Sequence, residues 1–567
     1  MNHGVAAVLD GAPRSTPPYE TLVEALEAGA AAGAPFVTFH GLRAEPIPMD
    51  FRATLDGAAR WAQVFAKNGV GKGDRVLLLL HTGEPFVTAL LGSMLAGAAP
   101  VPLAQGMTFG SMAPFMKNLA AIMANADPKV IVTHERAVEA LTTAGMNRPG
   151  LTVLTEKDRP AALDPGATRW PSIGASDTAL IQYTSGTTGR PKGVVISHRA
   201  LMANTSAIAA GLEVRPGDVG ASWLPMFHDM GLVGVLLTAV RHPYPMNIMS
   251  PERFAMGPQR WIHMLSETGA TITAAPNFAY EMAVNRVAKV GAASSLATMR
   301  IALSGAEPVQ MPTVRRFEEA YAKFGLRPKA MMPVYGMAEC TLAVTFSNAG
   351  AGASHVGVDQ GAFERHEVVL PAAGAAGQDI ASVGTPIQGT HVDVVSDDGQ
   401  RLSCDKVGRI RVKSESLMDG YFRNDEATAN AIKDGWLDTG DLGFVHGGTL
   451  FVAGRADDLI IQGGRNVHPA DVERVAIEVD GLRPGGVVAF GAVSETRGTQ
   501  DIVVVAETAV RDAASHERMA REIRGEVLAA LGVRVDAVHL WPVGAVPRTT
   551  SGKARRKDCA RRVAETR

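Results

Sequence analysis

Four short apolar runs that each stop in a cluster of small and polar residues constrain this chain more than any other feature. They are "TALIQ" (178–182), running into "YTSGTTGRPK", and "TITAAP" (271–276), running into "NFAYE". The others are "MRIALSGAEP" (299–308), which breaks at Ser304-Gly305, and "KAMMPVYGMAE" (329–339), which breaks at Tyr335-Gly336. Runs this short and this apolar read as buried strands, with helical patterns between them. "RVLLLL" (75–80) is a further buried strand, and "GVVIS" (193–197) returns as a strand after the first loop. Ser197 then caps a helix through Leu212 that carries Leu201, Met202, Ile208 and Leu212 on one face. The expectation is an α/β fold with βαβ-type sheets. Such sheets bind ligands at the carboxyl ends of their strands, so four polar strand ends imply one shared crevice.

A chain of 567 residues is too long for one core. The segment "GRADDLIIQGGRN" (454–466) reads as a boundary. Beyond it come a helix, the strands "GVVAFGAV" and "DIVVVAE", a long helix over 512–531 and the strand "VRVDAVHLW". That is an α+β unit of about 110 residues, an ordinary domain size. The expected division is a large N-terminal domain of several subdomains over 1–453, a hinge at 454–458 and a small mobile C-terminal domain over 459–567. Between 345 and 382 the pattern loosens into Gly, Ala and Ser, either as a flexible surface insertion or as a hairpin around "FERHEVVL". "HVDVVSDDGQRL" (391–402) reads as a hairpin turning at Asp398-Gly399. The basic run "KARRKDCARR" (553–562) reads as a solvated face or a dock for an acidic partner.

A net charge of −2 gives no electrostatic reason to expect a nucleic acid. Cys340, Cys404 and Cys559 are far apart and odd in number, which fits a reducing compartment better than a disulfide framework. The N-terminal stretch has no basic segment followed by an apolar one, and no apolar run is long enough to span a bilayer. A cytoplasmic protein is expected. No G-x-S-x-G or H-E-x-x-H occurs, so neither a serine hydrolase nor a zincin is indicated.

The loop "YTSGTTGRPKGV" lacks the G-x-x-x-x-G-K order of a Walker A loop, yet its chemistry points to phosphate. Glycines let backbone N–H groups turn inward, hydroxyls donate, and a lysine adds charge. The whole stretch resembles the phosphate loop of the adenylate-forming superfamily, which includes acyl-CoA synthetases, luciferases, peptide-synthetase adenylation domains and fatty acyl-AMP ligases. Six further motifs follow in that superfamily's order: "SWLPMFHDMGL" (222–232), "SGAEP" (304–308), "VYGMAEC" (334–340), "GWLDTGDLG" (435–443), "GRADDLIIQGGRNVHPADVE" (454–473) and "PRTTSGK" (547–553).

The resemblance implies roles. Thr184, Ser185, Gly186, Thr187, Thr188, Gly189 and Lys192 would wrap the phosphates of ATP. Gly305, Ala306 and Glu307 would lie along the adenine, flanked by Tyr335, Gly336 and Met337. Glu339, with Thr184, would hold Mg²⁺. Asp441 would accept from the ribose hydroxyls with Arg455 beside it, and Arg465 would reach the phosphates. Lys553 would sit at the reacting carboxylate and α-phosphate. His228, Asn277, Phe278 and Gly305 would line the acyl site, and Asp457 would be the hinge. The acid attacks as a carboxylate, so no general base is needed; lysine, Mg²⁺ and loop donors counter the charge build-up.

Within the superfamily the chain looks most like the fatty acyl-AMP ligases. It reads "APNFAYEM" (275–282) against "GPNFAYEL". It reads "GGRNVHPADVE" against "RGRNHYPQDIE", matched at Gly464, Arg465, Asn466, Pro469, Asp471 and Glu473 with "VH" in place of "HY". From Glu339 to Gly384 there are 45 positions, a gap where those ligases carry an insertion thought to restrict the C-terminal domain. The resemblance therefore implies activation of a fatty acid with ATP and transfer to the phosphopantetheine arm of an acyl carrier protein. The alternatives are a fatty acyl-CoA synthetase that uses free CoA and a non-catalytic nucleotide- or acyl-binding relative.

Overall fold

In the computed structural model the four apolar runs are strands, but they do not share one sheet. The structure describes all residues except 1–4, 14–17, 43–44, 105–111, 147, 165–169, 185–190, 373–376, 463–464, 495–498, 550–552 and 566–567. Ile272–Ala275, Ile301–Ser304 and Met331–Gly336 lie side by side and parallel. Gly220–Ser222, Met246–Met249 and Pro35–His40 extend the parallel half. Every residue of Ile301–Ser304 is buried, as a strand covered on both faces requires. Thr178–Thr184 belongs instead to a three-stranded antiparallel sheet with Lys192–Ser197 and Gly420–Tyr421. "RVLLLL" lies in a four-stranded parallel sheet, as Arg75–Leu79 between Ala99–Pro102 and Val130–Thr133.

The large sheet changes character at one place. Met331–Gly336 is parallel to one neighbour, while Ala343–Phe346 on its other side is antiparallel to it. From there the sheet continues through Gln378–Pro386, Thr449–Arg455, Trp436–His446, Gly408–Ser414 and Thr390–Val395. The short turn Ala338–Cys340 joins the two halves. Glu339 thus sits where parallel strand ends meet the antiparallel extension.

Ser197 caps the helix His198–Gly211 through Ala200 N, and every residue from Ala200 to Ala209 is buried. The helix is therefore buried all round rather than on one face, with Asn204 and Thr205 bonded to backbone carbonyls inside, because sheets and helices enclose it. The 391–402 hairpin turns as expected, with Ser396 N donating to Gln400 O and Gly399 at φ +83°.

The 345–382 segment is not a loose loop: an antiparallel strand pair brackets "FERHEVVL", with a short helix in the connection. His355–Val358 pairs antiparallel with Gln378–Pro386, and Gln360–Glu364 is a helix capped by Asp359. Val356, Val358, Phe363 and Ile380 share a buried cluster with Phe444 and Phe451. The apolar positions are spread too thinly among Gly and Ala for a sequence period to show them.

A smaller C-terminal domain has its own core, beginning at Ile460. Leu482–Val493 and Gln500–Thr508 are antiparallel, and Val535–Pro542 joins them in parallel. Ala513–Leu531 covers one face through Met519, Ile523 and Val527. The basic run is a helix, Arg556–Glu565, which covers the other face through Cys559 and Val563. It is a packed element, with Arg556 bonded to Glu473 and Asp458, rather than a solvated tail. Among the described residues no helix is long and apolar enough to cross a membrane.

Candidate active site

Thr184 and Lys192 face each other as the last register pair of two antiparallel strands. Ser185, Gly186, Thr187, Thr188 and Gly189 lie outside the described residues. The Lys192 ammonium stands 4.7 Å from the centre of the Tyr421 ring, a cation–π distance. The Tyr421 hydroxyl donates to Glu339 Oε1 at 2.9 Å. One tyrosine therefore ties Lys192 to the turn that carries Glu339. Gln182 Nε2 donates to Phe227 O at 2.7 Å, joining the same strand pair to "FHDMG".

The Glu339 turn is built under constraint. A Cβ on Gly336 would lie 2.0 Å from Leu342 O, so only glycine fits. Met337 N donates to Leu342 O at 2.7 Å and closes the turn. Thr341 follows with φ +65°, a left-handed conformation that costs a non-glycine residue roughly 1–3 kcal/mol. Its hydroxyl donates to Ser416 O at 2.7 Å, which holds it there.

Asp441 and Arg455 are register partners on neighbouring strands, with Asp441 Oδ1 3.0 Å from Arg455 Nε. The Tyr335 hydroxyl donates to Asp441 Oδ2 at 2.6 Å, and Arg455 Nη1 donates to Thr439 O. Both carboxylate oxygens are thus engaged by groups from two strands. Glu307 Oε1 accepts from Phe278 N at 2.6 Å, and Asn277 Oδ1 accepts from Gln310 N at 3.0 Å. These bonds join "SGAEP" to "NFAYE" and are why two motifs far apart in sequence share a wall. Ala306 between them has φ +68°. Gly305 packs so closely that a Cβ would meet Val334 Cγ2 at 2.7 Å.

His228 Nδ1 lies 2.7 Å from Asp229 Oδ1, which also accepts from Met230 N. Met230–Leu237 follows as a π-helix, a form that recurs at functional sites. Trp223 meets the Phe278 ring edge-on at 6.1 Å and stacks on Phe254 at 3.8 Å, which builds an aromatic wall beside "NFAYE".

The electrostatics are those of a site short of positive charge. Burial raises Glu339 above the usual carboxyl range, with Tyr421 and Arg455 offsetting part of it. Burial likewise raises Asp441 against Arg455, the Tyr335 hydroxyl and Lys553. Glu307 is raised by burial against the Phe278 amide and Lys553. Burial pushes Asp229 up too, but His228, Lys553 and the Met230 amide outweigh it and leave it low. Lys553 thus acts on Asp229, Glu307 and Asp441 at once. It sits exposed on a small hairpin, where Lys553 N donates to Thr549 Oγ1 and Arg548 bridges Ala554.

Two residues stand apart from this group. Asp457 is exposed in the turn Ala456–Asp458 between the domains. Arg465 does not approach the nucleotide-site residues. Its guanidinium pairs with Glu364 at 2.6 and 2.7 Å and donates to Gly532 O and Leu531 O. Four bonds at the domain boundary occupy it, so in this arrangement the expected phosphate contact is not made.

Tyr421, Thr439 and Asp229 escaped the sequence reading. Asp229 was visible inside "FHDMG". Tyr421 was not, because its partners Lys192 and Glu339 are remote in sequence and only the three-stranded sheet brings it to them.

A buried, desolvated carboxyl with a hydroxyl on one oxygen suits a hard cation, and Glu339 fits Mg²⁺ on that chemistry. Among the described residues no cluster of three His, Cys, Asp or Glu could hold a metal by itself. That suits an ion carried in on a polyphosphate.

The AMP-binding enzyme family matches residues 27–422. The long-chain-fatty-acid–AMP ligase FadD32 of Mycolicibacterium smegmatis is 32% identical over 579 residues, covering 90% of each chain. The medium-chain-fatty-acid–acyl-carrier-protein ligase JamA of Moorena producens is 32% identical over 530 residues, covering 89% of this chain and 88% of its own. A solved structure from work on fatty acyl-adenylate ligases of E. coli and L. pneumophila superposes with a TM-score of 0.91 at 32% identity, covering 97% of this chain and 98% of that one.

Proposed function

The chain belongs to the AMP-binding enzyme family, and on that premise we propose that it activates a medium- or long-chain fatty acid with ATP and passes the acyl group to the phosphopantetheine thiol of an acyl carrier protein in the cytosol. The observation that carries this reading is the convergence of Asp441, Glu339 and the His228–Asp229 pair on one crevice with Lys553 facing them.

In the first step a carboxylate oxygen of the acid forms a bond to the α-phosphorus of ATP. The bond to the β-phosphate oxygen breaks, and pyrophosphate leaves with the electron pair. Lys553 is placed to hold the two anions together and to take up charge on the α-phosphate. Asp441, fixed by Tyr335 and Arg455, is the acceptor for the ribose hydroxyls. Glu339 and Thr184 would hold Mg²⁺, which when bound draws charge from the leaving pyrophosphate. Lys192, parked on Tyr421, is the loop's cation for the phosphates. In the second step the carrier's thiol sulfur bonds to the acyl carbon, AMP leaves, and the thiol proton passes to solvent.

The test is to incubate the enzyme with ATP, Mg²⁺ and a labelled medium-chain acid, adding nothing, CoA or a holo carrier protein. Acyl-AMP that persists with CoA and is discharged by the carrier is the expected result. Rapid acyl-CoA formation would replace this reading with that of an acyl-CoA synthetase. Acid and nucleotide binding without pyrophosphate release would mark a non-catalytic relative.

A further inference from the structure

Asp471 is 2% exposed on the helix Pro469–Ala476 of the C-terminal domain. Its Oδ1 accepts a hydrogen bond from Gln378 Nε2, which belongs to the 345–382 segment of the other domain. Asp471 Oδ2 and Gln378 Oε1 are both buried and neither is closed by a well-formed hydrogen bond; the Gln360 amide reaches toward the Asp471 carboxyl and offsets only part of its burial. Two such acceptors in one buried contact are costly, and a buried unpaired charge more so. A single proton on Oδ2 converts one of them into a donor for the other. Acid and amide then form a ring closed by two hydrogen bonds.

The contact sits in a wider polar seam. Glu364 binds Arg465 through both oxygens, and Asn466 Nδ2 donates to Glu364 O at 3.0 Å. The Phe363 and His468 rings lie 5.2 Å apart. Every one of these bonds joins the 345–382 segment to the C-terminal domain, in the orientation that turns Lys553 toward Asp229, Glu307 and Asp441.

We propose that Asp471 and Gln378 are positioning residues for Lys553: a neutral acid–amide pair that holds the C-terminal domain in its adenylating orientation and releases it when Asp471 loses its proton. This rests on the adenylation reading given above.

The charged groups facing Asp471 are Arg474 on its own helix and Glu364 from the 345–382 segment, with the Gln360 and Gln378 amides beside them. His468 is pushed down to about 4 by burial and by His366, so it stays neutral. Burial outweighs Arg474 and pushes Asp471 up to about 7. The attached state therefore binds the proton more tightly than the detached state, where Asp471 returns to the ordinary carboxyl range. Attachment is strongest in acid, weakens as pH rises out of that range, and loses the last of this contribution as pH passes about 7. The steepest change is about tenfold in the attached population per pH unit.

The test places fluorophores on cysteines introduced at exposed positions of the two domains, Glu319→Cys and Glu526→Cys, and follows energy transfer from pH 5 to pH 8 without substrates. The three native cysteines are buried. The wild-type signal is expected to shift toward separated domains as pH rises. Asp471→Asn, whose amide donates to Gln378 Oε1 at every pH, should stay attached throughout. Gln378→Ala, which removes the amide partner but leaves Asp471 buried, should be more separated than the wild type across the whole range. A second arm measures pyrophosphate release and carrier loading at pH 6 and pH 7 on equally folded proteins. The ratio of loading to adenylation should rise by up to about tenfold in the wild type and, beyond the carrier thiol's own titration, not in Asp471→Asn. A wild-type signal that does not respond to pH, or an Asn variant that titrates like the wild type, would overturn the proposal. A responsive domain distance in a protein that makes no acyl-AMP would count against the adenylation reading alone.

Discussion

Asp441 and Lys553 act on each other across the site, yet they are held in opposite ways. Asp441 is buried, and Tyr335, Arg455 and Thr439 fix it from strands of one sheet. Lys553 is exposed on a hairpin of a separate domain, held by its backbone rather than its side chain. The N-terminal side is a set of acceptors already desolvated during folding, as the raised Glu307, Glu339 and Asp441 show. The C-terminal side is one exposed cation carried by a separate domain. On the proposed function, nucleotide and metal recognition would belong to the N-terminal side, and control over which step is catalysed to the C-terminal one.

The sharpest way to break this comparison is Lys553→Ala. It should lower pyrophosphate release by about 10²–10³-fold, the range for losing one donor to developing charge. Discharge of supplied acyl-AMP to the carrier should change little; an equal loss in both steps would mean that the two sides are not separable. Next in size is Asp441→Asn, which should weaken ATP binding by roughly 10–100-fold, the range for a hydrogen bond to a charged group, without altering affinity for the acid. ATP titration at saturating acid reads it directly.

A pH profile sharpens the same contrast. Because burial raises Asp441 and Glu339, both protonate above the ordinary carboxyl range, and adenylation should begin to fall on acidification at a higher pH than free carboxyls would give. Arg455→Gln removes the cation that opposes this and should move the acid limb of kcat/KM further up. The stability sign is the reverse of the activity sign. Groups raised in the folded state contribute stability that is complete below their unfolded values and lost as pH climbs through the folded ones. The smallest effect is expected of Tyr421→Phe, which keeps the ring under Lys192 and deletes the bond to Glu339. With Mg²⁺ sharing the carboxylate's charge, the bond falls in the ordinary net range of about 0.5–1.5 kcal/mol, so the Mg²⁺ concentration for half-maximal rate should rise only a few-fold, to about tenfold at most.

Much of the N-terminal site was legible as strings. "SGAEP" and "VYGMAEC" mark strand ends, whereas "TGD" falls inside the strand Trp436–His446, and the Tyr335 hydroxyl joins the second motif to the third through Asp441. The sheet assignment was less so. "TALIQ" reads like the other three strands, because a buried antiparallel strand and a buried parallel one carry the same apolar run. The 345–382 segment is half legible: an antiparallel pair does bracket "FERHEVVL", but His355–Val358 and Gln378–Pro386 are joined across more than a dozen residues that hold a helix no sequence period marks. Arg465 shows the same limit from the other side. Its type and place in the motif fit a phosphate contact, but Glu364 claims it through a helix that no local pattern announces.

By itself the sequence determined what each segment could become. A short apolar run before small and polar residues makes a strand end, a serine before a helical stretch makes a cap, and Gly336 permits a turn that no side chain would allow. These are local steric and hydrogen-bonding facts, complete within a few residues. Tertiary structure decided which groups share an environment. Burial raises Asp471 and Glu339 only because elements distant in the chain exclude water from them, and Lys553 acts on Asp441 only because a seam of contacts orients its domain. Desolvation and Coulomb interaction depend on distance in space, and spacing along the chain does not encode that distance.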